Sequence, residues 1–100
     1  MPAYVILDIE VQDAETYARY RELGPPAVAA YGGKYLVRGG TVESLEGAWH
    51  PGRLVILEFP TLEAGRAWWA SSEYAAARAL RQASTRTEMI LIDGVPPALP

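Results

Sequence analysis

The hydrophobic and polar positions of the chain change period several times, and each change marks an element. Tyr4 to Val11 is a nearly continuous aliphatic run with Asp8 and Glu10 at alternate positions, which predicts a strand. Asp13 then stands as an N-cap, able to accept from backbone N–H groups of a first helical turn, and Glu15 suits the positive helix end. Tyr17, Tyr20 and Leu23 recur at helical spacing. Gly24, Pro25 and Pro26 are expected to interrupt that helix, with a second helical piece starting at the prolines and stopping at Gly32 and Gly33.

Lys34 to Arg38 alternates and predicts a second strand. Gly39 to Gly52 is a long connection carrying Trp49 and His50. Arg53 to Phe59 is the clearest strand, ended by Pro60, and Thr61 is placed to cap a helix bearing Leu62, Trp68 and Trp69. Ser71 or Ser72 separates it from a helix over about Glu73 to Ala83, and Thr87 to Asp93 is the last strand. The order β-α-β, β-α-β predicts an α+β domain over residues 1–95 of the ferredoxin-like, split βαβ plan. Its four-stranded antiparallel sheet carries helices on one face. The proline-rich residues 96–100 are expected to form a loose tail.

Strand alternation divides the sheet residues into two sets. Val5, Leu7, Ile9, Tyr35, Val37, Val55, Leu57, Phe59, Met89 and Leu91 form an apolar, helix-covered face. The other set mixes Ile6, Leu36, Leu54, Ile56, Ile90 and Ile92 with Tyr4, Asp8, Lys34, Arg38, Glu58 and Glu88. Covering six aliphatic side chains favours a partner by roughly 10 kcal/mol. A second copy of the same sheet is the simplest cover, so a homodimer through this open face is expected.

Composition narrows the function classes. The net charge is −3 with no basic cluster in the sequence, which argues against nucleic acid as a partner. Cysteine is absent and histidine occurs once, excluding thiolate catalysis, disulfides and a multi-histidine metal centre within one chain. No metal and no bound cofactor are expected. The start lacks a signal-peptide pattern and no apolar run reaches membrane length, so a cytoplasmic protein without a membrane partner is expected.

The stretches YGGKYLVRGG (31–40), LEGAWHPGRLVILEFP (45–60) and SSEYAAARALR (71–81) resemble the bacterial DUF1330 proteins, a domain of unknown function. The resemblance covers Tyr4 to Gly94 and implies the dimeric α/β-barrel fold, in which two ferredoxin-like sheets pack face to face. Thr61 and Ser72 stand where that family more often shows Ser and Pro. The wider superfamily implied includes cofactor-free monooxygenases, haem-degrading enzymes and muconolactone isomerases, a breadth that carries over no single reaction. Haem degradation is disfavoured, because the one histidine lies in a loop.

Candidate site residues follow from the mixed face. Asp8 and Glu58 are expected near the C-terminal ends of neighbouring parallel strands, as an acid/base pair. Arg38, with Lys34 nearby, would hold an anionic group of a small ligand. His50 is the natural general base near neutral pH. Tyr20 and Trp68 would line a pocket between helices and sheet. Two function classes stay open: a cofactor-free enzyme acting on a small organic molecule such as an acid, or a non-catalytic ligand-binding or structural homodimer.

Overall fold

The structure, a computed structural model, describes residues 1–96. The expected tail at 96–100 therefore falls, from residue 97 on, outside the described residues. Seven elements follow in order: β1 (Ala3–Val11), α1 (Ala14–Ala30), β2 (Lys34–Arg38), β3 (Arg53–Phe59), α2 (Leu62–Ala70), α3 (Ser72–Ser84) and β4 (Thr85–Asp93). The sheet order is β2-β3-β1-β4 and all three pairings are antiparallel. This is the ferredoxin-like α+β plan predicted from the sequence.

The caps act as the residue types require. Asp13 accepts from the Thr16 amide and from its hydroxyl, holding the start of α1. Those bonds favour the carboxylate and lower the Asp13 pKa. Thr61 accepts from the Ala64 amide at the start of α2. Ser71 serves two helices: its hydroxyl donates to Trp68 O at the end of α2 and accepts from the Tyr74 amide at the start of α3.

Helix α1 is continuous through Pro25 and Pro26, contrary to the expected break. Each proline lacks an N–H, so the carbonyls four residues earlier lose their helical partners. Arg38 Nη2 donates to one of them, Arg21 O, at 3.0 Å. Packing also holds this stretch. Gly24 is buried against Tyr20 and Tyr35, and a Cβ there would lie 3.4 Å from the Tyr35 hydroxyl.

A β-bulge changes the expected faces of β2. Tyr35 pairs with Leu57, but Val37 pairs with Ile56 and Arg38 with Val55. The extra residue reverses the alternation, moving Val37 to the open face and Arg38 to the helix-covered face. The rest of the covered face is as read from the sequence. Val5, Leu7, Ile9, Val55, Leu57 and Phe59 are buried beneath Tyr17, Tyr20, Ala27, Val28, Trp68, Tyr74 and Ala77 of the helices. Among the described residues no helix or strand covers the opposite face, and Leu36, Ile90 and Ile92 on it are 48%, 57% and 50% exposed.

Candidate functional site

A cleft of about 430 Å³ opens between β4, α2 and α3. Its formation starts with the aromatic residues of the two short helices. Trp68, 1% exposed, packs on Phe59 at 5.3 Å and on Tyr74 at 4.3 Å between ring centroids. Gly65 lets α2 approach β4 closely: a Cβ there would lie 2.8 Å from Leu91 Cδ1. Trp69, Met89 and Leu91 supply apolar wall, and Gln82, Thr87 and Arg81 supply polar atoms.

Arg81 is the unusual member of this wall. It is only 5% exposed, and its Nε donates to the Tyr74 hydroxyl at 3.3 Å. Among the described residues the ion pair is Lys34 with Glu58, so no carboxylate neutralises Arg81. Burying a guanidinium without a counter-charge is costly, and truncating its environment would not explain its presence. Trp68 also lines the cleft, and its buried Nε1 has no acceptor among the described residues. An unmade buried hydrogen bond costs roughly 1–3 kcal/mol. The cleft is thus apolar in body and rich in donors, with no carboxylate or imidazole in its lining.

Behind Arg81 the polar chain continues inward. Tyr74 OH is 3.0 Å from Tyr20 OH, and both tyrosines are buried. Burial, and then the neighbouring Tyr74, push the Tyr20 pKa up, so its hydroxyl stays protonated. These bonds fix the Tyr74 oxygen and, through it, the plane of the Arg81 guanidinium.

The other expected site residues are dispersed. β1 and β3 are antiparallel, so Asp8 lies opposite Leu54 whereas Glu58 lies opposite Tyr4. The two acids are offset by four residues along the strands, roughly 13 Å. They form no acid/base pair. Glu58 instead meets Lys34, its cross-strand neighbour on β2, at 3.7 Å. Arg38 has left Lys34 for the other face, as the bulge requires.

Asp8 and His50 do share a cleft, of about 400 Å³, with Glu10, Arg86 and Glu88 on the open face. Asp8 Oδ2 accepts from Trp49 Nε1 at 3.0 Å and Oδ1 accepts from the Gly52 amide at 2.8 Å. Those two bonds tie the 39–52 connection to β1, which gives Asp8 a structural task. Among the described residues no group of three His, Cys, Asp or Glu is arranged to hold a metal ion. No helix among them is long and apolar enough to cross a membrane.

Of the two residues expected to line a pocket between helices and sheet, Trp68 stands in the wall of this cleft and Tyr20 lies behind it against Tyr74; Arg81 was not among the expected residues. Arg81 could have been found by its spacing, because Tyr74, Ala77 and Arg81 fall on one helical stripe and all three are buried.

Comparison with known proteins gives three results. The profile of the family described as "Domain of unknown function (DUF1330)" matches residues 2–95. No functionally curated protein is a significant match. Several solved structures share the fold. One is the RPA0582 protein of unknown function from Rhodopseudomonas palustris, 23% identical, covering 96% of this chain and 84% of that one, with a TM-score of 0.76. Rv0793 from Mycobacterium tuberculosis is 16% identical, covering 99% and 100%, with a TM-score of 0.56. SnoaB from Streptomyces nogalater, a cofactor-independent oxygenase, is 11% identical, covering 97% and 96%, also with a TM-score of 0.56. At these identities the likeness is one of fold, that of the dimeric α/β-barrel proteins.

Proposed function

The chain belongs to the DUF1330 family, and from that premise we propose that the cleft beneath α2 and α3 binds a small organic anion, or an enolic or phenolic molecule that ionises there. The protein acts on that molecule as a cofactor-independent enzyme. The observation that carries this reading is Arg81, a guanidinium 5% exposed, unpaired with any carboxylate among the described residues and lining an apolar cleft. Trp68 Nε1 supplies a second donor that lacks an acceptor. Preorganised donors in a water-poor site stabilise negative charge that forms on a substrate oxygen, and this lowers the barrier to ionisation. SnoaB shows that the fold can house cofactor-independent oxygenation. With no carboxylate or imidazole in the lining, the substrate's proton passes to water, which restricts the reading to substrates acidic enough to ionise in that way.

The functional unit is a homodimer with the two open sheet faces packed together. Leu36, Ile90 and Ile92 support this, as does a molecule only 16 Å thick in its shortest dimension. The Asp8–His50 cleft would then lie in the covered interior.

The test is a thermal-shift screen of small aromatic and aliphatic carboxylates, phenols and 1,3-dicarbonyl compounds. At least one compound should raise the midpoint of the wild type, and the rise should disappear in Arg81→Met. Arg81→Lys keeps the charge and should retain part of it. Mass spectrometry of the stabilising compound after incubation separates turnover from binding. A ligand whose effect survives Arg81→Met in a folded variant would overturn the assignment.

A further inference from the structure

Three arginines converge at the opposite edge of the sheet, where α1 crosses β2 and β3. Arg21 of α1, Arg38 of β2 and Arg53 of β3 line one small depression whose floor is Tyr17, Tyr20 and Tyr35. Two special backbone features build it. The β-bulge in β2 turns Arg38 toward the helices. Gly39, at φ 74°, leaves room against which the Arg53 guanidinium lies, and any side chain there would collide with it. The tyrosines then hold the charges in place. Arg38 Cζ sits 4.7 Å from the Tyr35 ring centroid and Arg53 Cζ 5.9 Å from that of Tyr17.

Arg38 pairs with Val55, two residues from Arg53 on the same face, so the two guanidiniums are diagonal cross-strand neighbours. Like charges held this way repel. None of the three arginines is ion-paired among the described residues, and Arg53 Nε is buried without an acceptor. The repulsion among the charges is relieved by one oxyanion bound at the mouth of the depression. The enclosed space, about 10 Å³, is the size of one water, so an oxyanion would sit at the mouth of the depression, against the exposed Arg21 and Arg38.

We propose that Arg21, Arg38 and Arg53 form a binding site for a phosphate-type oxyanion, separate from the Arg81 cleft. Free phosphate and the head group of a phosphorylated small molecule share this chemistry. The dianionic head matches a cluster of guanidiniums better than a monoanion does, and the tyrosine floor favours an organic body beside it.

The experiment is a titration of the full chain with inorganic phosphate and with phenyl phosphate, followed by ³¹P NMR and by the thermal midpoint. Sodium chloride at equal ionic strength serves as the reference. Phosphate should bind and stabilise beyond chloride. Tighter binding of phenyl phosphate assigns the site to phosphorylated organic molecules, whereas weaker binding assigns it to free phosphate. Arg53→Gln should weaken binding roughly tenfold or more, because charge-assisted bonds are the strong ones. Arg21→Gln alters only an exposed side chain and leaves the Arg21 carbonyl with Arg38, so its loss of affinity cannot be assigned to misfolding. Arg81→Lys should bind phosphate as the wild type does, which keeps this site distinguishable from the other cleft. A phosphate effect no larger than that of chloride would overturn the proposal. So would unchanged affinity in Arg21→Gln and Arg53→Gln.

Discussion

Replacing Arg38 by Ala should destabilise the protein through helix α1, and the size of the effect should depend on Pro25. Pro25 provides no N–H for the Arg21 carbonyl, and Arg38 Nη2 fills that place at 3.0 Å. A bond from a charged donor contributes roughly 1.5–3 kcal/mol when shielded; Arg38 is exposed, so about 1 kcal/mol is expected here. Its position over Tyr35 adds about 0.5 kcal/mol. Arg38→Ala should therefore cost about 1.5 kcal/mol. In a Pro25→Ala background the new backbone N–H can reach Arg21 O, and the same change should cost only about 0.5 kcal/mol, leaving the aromatic contribution. The coupling of about 1 kcal/mol corresponds to roughly 4–8 °C in a domain of this size. The four proteins of the cycle would be compared by calorimetry and urea unfolding at one protomer concentration, since dimerisation makes the midpoint concentration-dependent. Additivity to within about 0.3 kcal/mol would refute the idea that Arg38 repairs the proline gap.

Three further outcomes are expected. The Tyr31 hydroxyl donates to Glu73 Oε2 at 2.7 Å and lowers the Glu73 pKa from its ordinary 4.5. That stability is present above the unfolded carboxylate pKa and lost as pH falls through the lower folded one, so Tyr31→Phe should flatten the acid limb of a stability–pH profile below about pH 4.5. Light scattering should give about twice the 10.9 kDa chain mass, and Ile56→Asp should abolish the dimer by placing an unpaired charge in the interface; a folded wild-type monomer at micromolar concentration would contradict this. Gly65→Val should cost roughly 1–3 kcal/mol by overpacking against Leu91 and should narrow the Arg81 cleft, visible as a lower midpoint together with lost ligand stabilisation.

Much of the fold was legible because local chemistry and global pattern agree. Asp13, Thr61 and Ser71 cap where their side chains can accept, and the aliphatic alternation of β1 and β3 matches the buried face. The misreadings have physical causes. Pro25 and Pro26 signal a helix break locally, yet tertiary packing of Gly24 and the Arg38 bond hold the helix together. Strict alternation put Arg38 beside Lys34, and a single inserted residue in β2 moved it to the other face. The Asp8–Glu58 pair failed because the split βαβ plan makes β1 and β3 antiparallel neighbours. Arg81 was hidden because an arginine in a helix ordinarily faces water, and only its stripe with Tyr74 and Ala77 marks it as buried.

The account rests on an anion meeting Arg81 and Trp68 in the cleft between β4, α2 and α3. The most direct measurement is the ¹H–¹⁵N spectrum of the three indole N–H groups during titration with a stabilising acid. The Trp49→Phe and Trp69→Phe variants assign the resonances. The Trp68 signal should move as its Nε1, now without an acceptor, gains one, and the Trp49 signal, already bonded to Asp8, should stay in place. A titration that moves Trp49 and leaves Trp68 unchanged would contradict the account and shift the site to the open face around Asp8 and His50.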